Sequence, residues 1–503
     1  MGNPLYDSLF ARHAGKTTPF LYLRDGSIIT HEAFLATTAR FAHVLSDLEL
    51  EPGDRCAVQV EKSTEALALY AACVQAGVVF LPLNTAYTAD EVSYFVDNSG
   101  ARLFVCDGTS AEAMKPMAKA ADAMLETLDA DGGGSLPERA REKPTDYPTV
   151  NRASGDLAAF LYTSGTTGRS KGAMLTQDNL LSNAETLVDY WQFTDQDVLL
   201  HALPIFHTHG LFVASNVTLL SGGSMIFLPK FDLDAMIALM PKATAMMGVP
   251  TFYTRLLGDP RFTRDLTAHM RVFISGSAPL LAETHVQFEE RTGHRILERY
   301  GMTETNMNTS NPYDGERRAG TVGFPLPGVE LKICDPTTGN QLANGEIGQI
   351  EVRGRNVFKG YWQMPDKTRE ELRDDGFFIT GDLGKVDADG YVQIVGRNKD
   401  LIISGGYNIY PKEIELVLDD QPGVLESAVI GVPHPDFGET VVGVLVPENG
   451  ATLDTEAIGD AVGKSLARFK HPRRLFVIEE LPRNTMGKVQ KNVLRERYGK
   501  AFA

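Results

Sequence analysis

Short apolar runs alternate with helix-like segments over the first 330 residues. Residues 55–60 (Arg-Cys-Ala-Val-Gln-Val) lead into a helical stretch over 63–76 and then a second apolar run over 78–83, and further runs at 102–106 and 271–275 end in polar turns. Continuous apolar runs separated by helices are the pattern of buried parallel strands, so this part of the chain predicts an α/β fold of stacked sheets. Residues 131–151 are rich in glycine, proline and charge and read as an exposed loop. From about 320 to 396 the texture shifts to short strands and turns: 346–352 alternates, and Asp387-Ala388-Asp389-Gly390-Tyr391 reads as a hairpin turn. Beyond 400 the pattern is compact α+β, with a helix over 411–419, strands near 427–432 and 441–446, a helix near 455–466, then a terminal strand and tail. The expected organisation is a large N-terminal domain (1–396) with a β-rich subdomain, a hinge (397–400) and a small C-terminal domain (401–503).

Composition narrows the function classes. The 503 residues are 43% hydrophobic, ample for a large core, and the net charge of −17 argues against non-specific nucleic-acid binding. The four cysteines (Cys56, Cys73, Cys106, Cys334) are scattered without a CxxC pair, which reads as a reduced, cytoplasmic protein without disulfide or zinc chemistry. No run of 18 apolar residues and no secretory or transit pattern is expected to direct it to a membrane.

An acidic chain that binds anions must concentrate positive charge locally. The stretch Tyr162-Thr163-Ser164-Gly165-Thr166-Thr167-Gly168-Arg169-Ser170-Lys171-Gly172 does so, after an apolar run over 157–161. Glycines let several N–H groups converge on one anion, hydroxyls add donors and Lys171 adds a point charge, which is the chemistry of holding a polyphosphate. The spacing departs from the common phosphate loop, since Gly172 rather than Ser or Thr follows the lysine. An amphipathic segment (Leu175, Leu180, Leu181) is expected to follow.

Four further motifs follow in order: 202–210, ending in His207-Thr208-His209-Gly210; Ser275-Gly276-Ser277-Ala278-Pro279 with Glu298-Arg299-Tyr300-Gly301-Met302-Thr303-Glu304; a run over 375–382 ending in Asp382; and 484–491, with Lys488 after a glycine. Polar turns after strands are where α/β proteins bind ligands. Taken together and in this order, the motifs resemble the adenylate-forming superfamily of acyl-CoA synthetases, luciferases and peptide-synthetase adenylation domains. The resemblance implies a mobile C-terminal domain and two steps: a carboxylate and ATP give acyl-AMP, then a thiol takes the acyl group. It implies that Thr163, Ser164, Gly165, Thr166, Thr167, Gly168 and Lys171 bind phosphates, and that Ser277, Ala278, Pro279, Glu298, Tyr300, Gly301, Met302 and Thr303 face the nucleotide. Asp382 and Arg397 would hold the ribose, and Glu304 with Thr163 a Mg²⁺ ion, a hard cation that takes oxygen ligands. His207 would orient the acid, Lys488 would offset charge on the reacting phosphate, and Ser404, Gly405, Gly406 and Tyr407 would face CoA. Lys399 stands where many relatives carry a hinge aspartate.

Arg255 and Arg299 bear on the acid. Both fall in segments that border the acyl pocket in the superfamily, where Ser275 and His207 also lie. A buried arginine is costly unless an anion meets it, and a second substrate carboxylate would do so. The run over 298–309, with Arg317-Arg318-Ala319-Gly320-Thr321-Val322-Gly323 after it, resembles malonyl-CoA synthetases. The implied substrate is malonate, with methylmalonate tolerated because one methyl is worth only about 1–3 kcal/mol. A medium- or long-chain fatty acyl-CoA synthetase and a stand-alone carrier-protein-loading enzyme remain alternatives. The context of Lys488 resembles that of catalytic lysines that are acetylated, implying a lysine acetyltransferase and deacetylase as partners.

Overall fold

The structure, a computed structural model, describes residues 2–163, 170–404, 407–484 and 487–502; of Tyr407 and Asn408 it describes the backbone only. The chain forms two compact units, Met1–Glu330 with Val352–Phe378, and Leu331–Glu351 with Ile379–Ala503.

The first unit holds two large sheets. In the nine-stranded sheet six parallel strands, among them Val198–His201, Ala245–Gly248, Val272–Ser275 and Leu297–Met302, are continued antiparallel by Asn306–Ser310. Val272–Ser275 and Ala245–Gly248 are buried along their whole length, as strands covered on both faces must be. In the six-stranded sheet Arg55–Gln59 lies between Leu103–Cys106 and Val79–Pro82, all parallel, and Leu157–Thr163 pairs antiparallel with Lys171–Thr176. Mixed α/β architecture with several parallel strands is thus as the apolar pattern predicts.

Two local expectations need correction. The segment after Lys171 is not one amphipathic element: Leu175 belongs to the strand Lys171–Thr176, and Leu180 and Leu181 sit in the helix Gln177–Tyr190. Thr176 divides them, because its hydroxyl accepts from Asn179 N while Asn179 Oδ1 accepts from Thr176 N, a reciprocal cap that starts the helix there. The 131–151 loop contains a short helix, Ser135–Ala140, that buries Leu136 and Ala140 one turn apart.

The second unit contains most of a four-stranded sheet, with Phe378–Val386 antiparallel to Val392–Arg397, and a sheet built on the long hairpin Val424–His434 and Gly438–Pro447. The helices Pro411–Asp419 and Thr455–Ser465 pack on one face of that hairpin through Ile414, Leu418, Val429, Leu445 and Val462. Helix Lys491–Tyr498 packs on it separately, burying Leu494 with Ala428, Ile430 and Val444.

Candidate active site

The strand pair Leu157–Thr163 and Lys171–Thr176 ends at the pair Thr163–Lys171. The glycine-rich connection between them, with Ser164, Gly165, Thr166, Thr167 and Gly168, lies outside the described residues. Thr163 and Lys171 are described, and they share one network. Thr163 Oγ1 donates to Glu304 Oε1 over 3.3 Å, and the Tyr361 hydroxyl lies 3.1 Å from the same oxygen and 2.6 Å from Glu371 Oε2. Lys171 Nζ donates to both Glu371 oxygens at 3.1 Å and lies 4.1 Å from the Tyr361 ring centre. Burial pushes the Glu304 carboxyl up, against the opposing pull of Lys171. Burial also pushes Glu371 up, but the Tyr361 hydroxyl, Lys367 and Lys171 outweigh it and leave the group below its usual range. Tyr361 and Glu371 bear no motif signal in the sequence. They lie 57 and 67 residues beyond Glu304 (361 − 304 and 371 − 304), and only the fold brings them in.

The second cluster gathers at the carboxyl ends of the parallel strands. Arg299, on the strand Leu297–Met302, is 3% exposed, and its Nε and Nη2 have no hydrogen-bond partner among the described residues. Burial pushes the guanidinium down to about 9, with Tyr253 and Glu298 working the other way. Its plane lies against Gly276, where a β-carbon would come within 2.4 Å of Cζ, so only glycine leaves room for it. Ser275 Oγ, Thr208 Oγ1 and His209 Nε2 are likewise buried without a hydrogen-bond partner among the described residues. His209 Nδ1 lies 3.1 Å from the hydroxyl of Ser277, a residue held at φ 73°, and burial with the neighbouring Arg299 keeps His209 neutral. Tyr253 donates its hydroxyl to the Ile274 carbonyl over 2.6 Å, and the charge of Arg299 also acts on it.

The loop that carries His207 and His209 is fastened from below. Buried Lys62 Nζ donates to His201 Nδ1 (3.0 Å) and to the carbonyls of His201 (2.8 Å) and Leu203 (3.0 Å). His201 Nε2 then donates to the Gly210 carbonyl over 2.9 Å, at the start of the π-helix His209–Ser215. His207 packs its ring against Phe206 and lines a small cavity with Leu161, Tyr87 and Thr303. Ala278 and Tyr300 are half-buried, Pro279 is exposed, and Gly301 sits at a bulge where a β-carbon would come within 2.0 Å of the Asn306 carbonyl.

Arg255 corrects the expectation of two arginines in one pocket. In the helix Pro250–Leu257 the buried positions are Tyr253 and Leu256, so Arg255 falls on the outer side, exposed, with its guanidinium 5.6 Å from the Phe231 ring centre. Arg299 alone of the two is buried.

In the second unit Asp382 and Arg397 stand opposite each other across the antiparallel pair, Nε to Oδ1 3.2 Å. Ser404 faces Tyr407 in the register of the two short strands around Gly405 and Gly406, which lie outside the described residues. Lys488 N donates to Asn484 Oδ1, and Asn484 N to the Lys488 carbonyl, both over 3.0 Å. Arg483 Nη1 donates to the Gly487 carbonyl (2.7 Å) while Nη2 pairs with Glu426, and Lys491 Nζ pairs with Glu415 at 2.6 Å.

Residues 10–362 match the family model described as AMP-binding enzyme, and residues 413–488 the model of the AMP-binding enzyme C-terminal domain. The crystal structure of ATP-bound MatB from Rhodopseudomonas palustris superposes with a TM-score of 0.98 at 57% identity, covering 100% of both chains. A malonate–CoA ligase of Arabidopsis thaliana is 36% identical over 479 residues, 88% of this chain and 78% of its own. A long-chain-fatty-acid–CoA ligase of Bacillus subtilis is 32% identical over 522 residues, 97% and 92% of the two. The chain belongs to the AMP-binding enzyme family and is one of its AMP-forming acyl-CoA ligases.

Proposed function

We propose that the protein is a malonyl-CoA synthetase that converts malonate, ATP and CoA to malonyl-CoA, AMP and diphosphate, with methylmalonate as a secondary substrate. The observation that carries this reading is Arg299, a buried cation with two nitrogens that lack a partner among the described residues, beside three further such polar atoms at Ser275, Thr208 and His209. Such a pocket is costly when empty and suits the distal carboxylate of a dicarboxylic acid, held in part by the fork of the guanidinium. The malonate–CoA ligase relatives from plant and mouse support the same acid.

In this reading Thr163, Lys171 and the connection between them hold the ATP phosphates. Ser277, Ala278, Pro279, Glu298 and the run 300–303 face the nucleotide, and Asp382 and Arg397 take the ribose. The Thr163 hydroxyl and buried Glu304 carboxylate are hard oxygen donors that fit Mg²⁺, which when bound supplies positive charge to the phosphates. The reacting carboxylate, oriented by His207, attacks the α-phosphorus as the bond to diphosphate breaks, and Lys488 offsets the charge that develops. The CoA thiolate, entering past 404–407, then attacks the acyl carbon and AMP leaves. The hinge at 397–400 lets the C-terminal domain bring Lys488 to the first step and withdraw it for the second, and acetylation of Lys488 would silence the first. The four cysteines are free and buried, which suits a reducing compartment such as the cytoplasm. Among the described residues no helix is long and apolar enough to cross a membrane.

The test is CoA-dependent AMP formation with malonate, methylmalonate, succinate, acetate, butyrate and octanoate. Malonate should be preferred, and Arg299→Ala should lower its kcat/KM by about 10³-fold, as expected for loss of a desolvated charge-assisted contact. Faster turnover of butyrate or octanoate by the wild type would replace malonate with the fatty-acid alternative.

A further inference from the structure

Glu371 is not part of the nucleotide-binding set named above, yet it grips the side chain on which polyphosphate binding depends. Both of its oxygens lie 3.1 Å from Lys171 Nζ, and the Tyr361 ring lies under the same ammonium. These two hydrogen bonds occupy two of the three donors of Lys171. One donor is left over, so the ammonium can present two to the phosphates only by giving up one of these bonds. Glu371 itself is not stranded by that exchange, because Lys367 Nζ lies 3.0 Å and the Tyr361 hydroxyl 2.6 Å from it. A carboxylate with two further partners releases a third without becoming an unpaired buried charge.

We propose that Glu371 is the resting counter-ion of Lys171 and acts as a positioning residue that sets the affinity for the nucleotide's β- and γ-phosphates. This inference rests on the reading of Lys171 as a phosphate ligand. Glu371 competes with the polyphosphate for one ammonium. It restrains ATP binding, and once the acyl-AMP bond has formed it takes Lys171 back as diphosphate departs. The same carboxylate adds negative charge beside Glu304, with the Tyr361 hydroxyl shared between the two, so an incoming phosphate also meets direct repulsion.

The experiment is calorimetric titration of the full chain with MgATP, diphosphate and AMP. AMP lacks the phosphates that Lys171 would hold and serves as the internal control. Glu371→Gln should tighten MgATP and diphosphate binding about fivefold, the scale of one half-buried ion pair exchanged for another, and leave AMP affinity unchanged. Lys367→Met should act in the opposite direction, weakening MgATP about twofold, because Glu371 then holds Lys171 alone. Weaker or unchanged MgATP binding in a folded Glu371→Gln overturns the proposal, as does an equal shift for AMP. Should Glu371→Gln fail to fold, Lys367→Met decides by the sign of its effect. A wild type that binds AMP with no preference for ATP or diphosphate would instead overturn the reading of Lys171.

Discussion

The Arg299 pocket in the first unit and the Lys488 turn in the second both present cations, but they treat them in opposite ways. Around Arg299, two guanidinium nitrogens, Ser275 Oγ, Thr208 Oγ1 and His209 Nε2 are buried without a partner among the described residues. Beneath the Lys488 turn the charges are matched. Arg483 meets Glu426, Lys491 meets Glu415, and Lys412 lies 3.9 Å from Glu415 and 3.8 Å from Asp419. Glu415 also accepts from Val429 N over 2.9 Å, and the pull of Lys491 and Lys412 outweighs the upward push of its burial. Buried polar groups ordinarily find partners, so a cluster that does not is waiting for something from outside. A cluster that does is scaffold, and its task is to hold a neighbouring group still. The pattern of satisfaction, more than the presence of charge, separates the pocket from its supports.

Breaking the matched side should have the largest effect. Lys491→Met leaves Glu415 buried with only the distant Lys412 for charge, and half-broken buried pairs cost about 3–5 kcal/mol. Urea denaturation should show a loss near the lower end of that range, ~3 kcal/mol, together with slower acyl-AMP formation, since Lys491 follows Lys488 by three residues (491 − 488). Replacing both partners, in Lys491→Met with Glu415→Leu, should recover much of the stability. A single variant as stable as the wild type would remove the distinction between the two regions. Breaking the unmatched side should do the reverse. Arg299→Met keeps the volume and removes an unsatisfied charge, so stability should rise by roughly 1–2 kcal/mol while malonate turnover collapses. A variant that melts lower than wild type would mean that Arg299 has a structural partner after all.

The sequence displays one half of this contrast better than the other. Arg299 is legible because it directly precedes a recognisable motif, Tyr300 to Glu304. The parallel strands are legible because burial on both faces makes them continuous apolar runs, as in 272–275. Arg255 was misleading for a reason of phase. Tyr253 and Leu256, three apart, define the inner side of its helix, and an arginine between them must face outward. Glu371 and Tyr361 are illegible because their partners Lys171 and Glu304 come from distant parts of the chain, up to 200 residues away. The same holds for Lys491 and Glu415, 76 residues apart, although Lys491 closes the 484–491 motif. His209 carries no assigned role in the sequence motif, and its link to Ser277 depends on a loop held up by Lys62 and His201.

Acidification separates the two units by sign, with the smallest of these effects. In the first unit His13 and His31 stack at 4.3 Å, and burial lowers each to about 4. Both fold in the neutral form, so between pH 6.5 and 4 the unfolded chain binds more protons. Their contribution is full above the unfolded value and is lost as the pH falls. In the second unit burial raises Asp419 from 3.8 to about 6, against the opposing effects of Lys412 and the Ser427 hydroxyl. Here the folded state binds the extra proton, so this group's contribution grows as the pH falls through about 6 and is complete below the unfolded value. From about pH 6 to 5, each group changes stability by ~1 kcal/mol at most, downward for the histidines and upward for Asp419. Asp419→Asn removes the charge that burial penalises. Its stability advantage over wild type should be largest near pH 7 and shrink toward pH 4, whereas the difference between His31→Leu and wild type should move in favour of the variant over the same range. Melting curves of the three proteins across that range read both slopes, and parallel pH profiles would show that neither buried group titrates with folding.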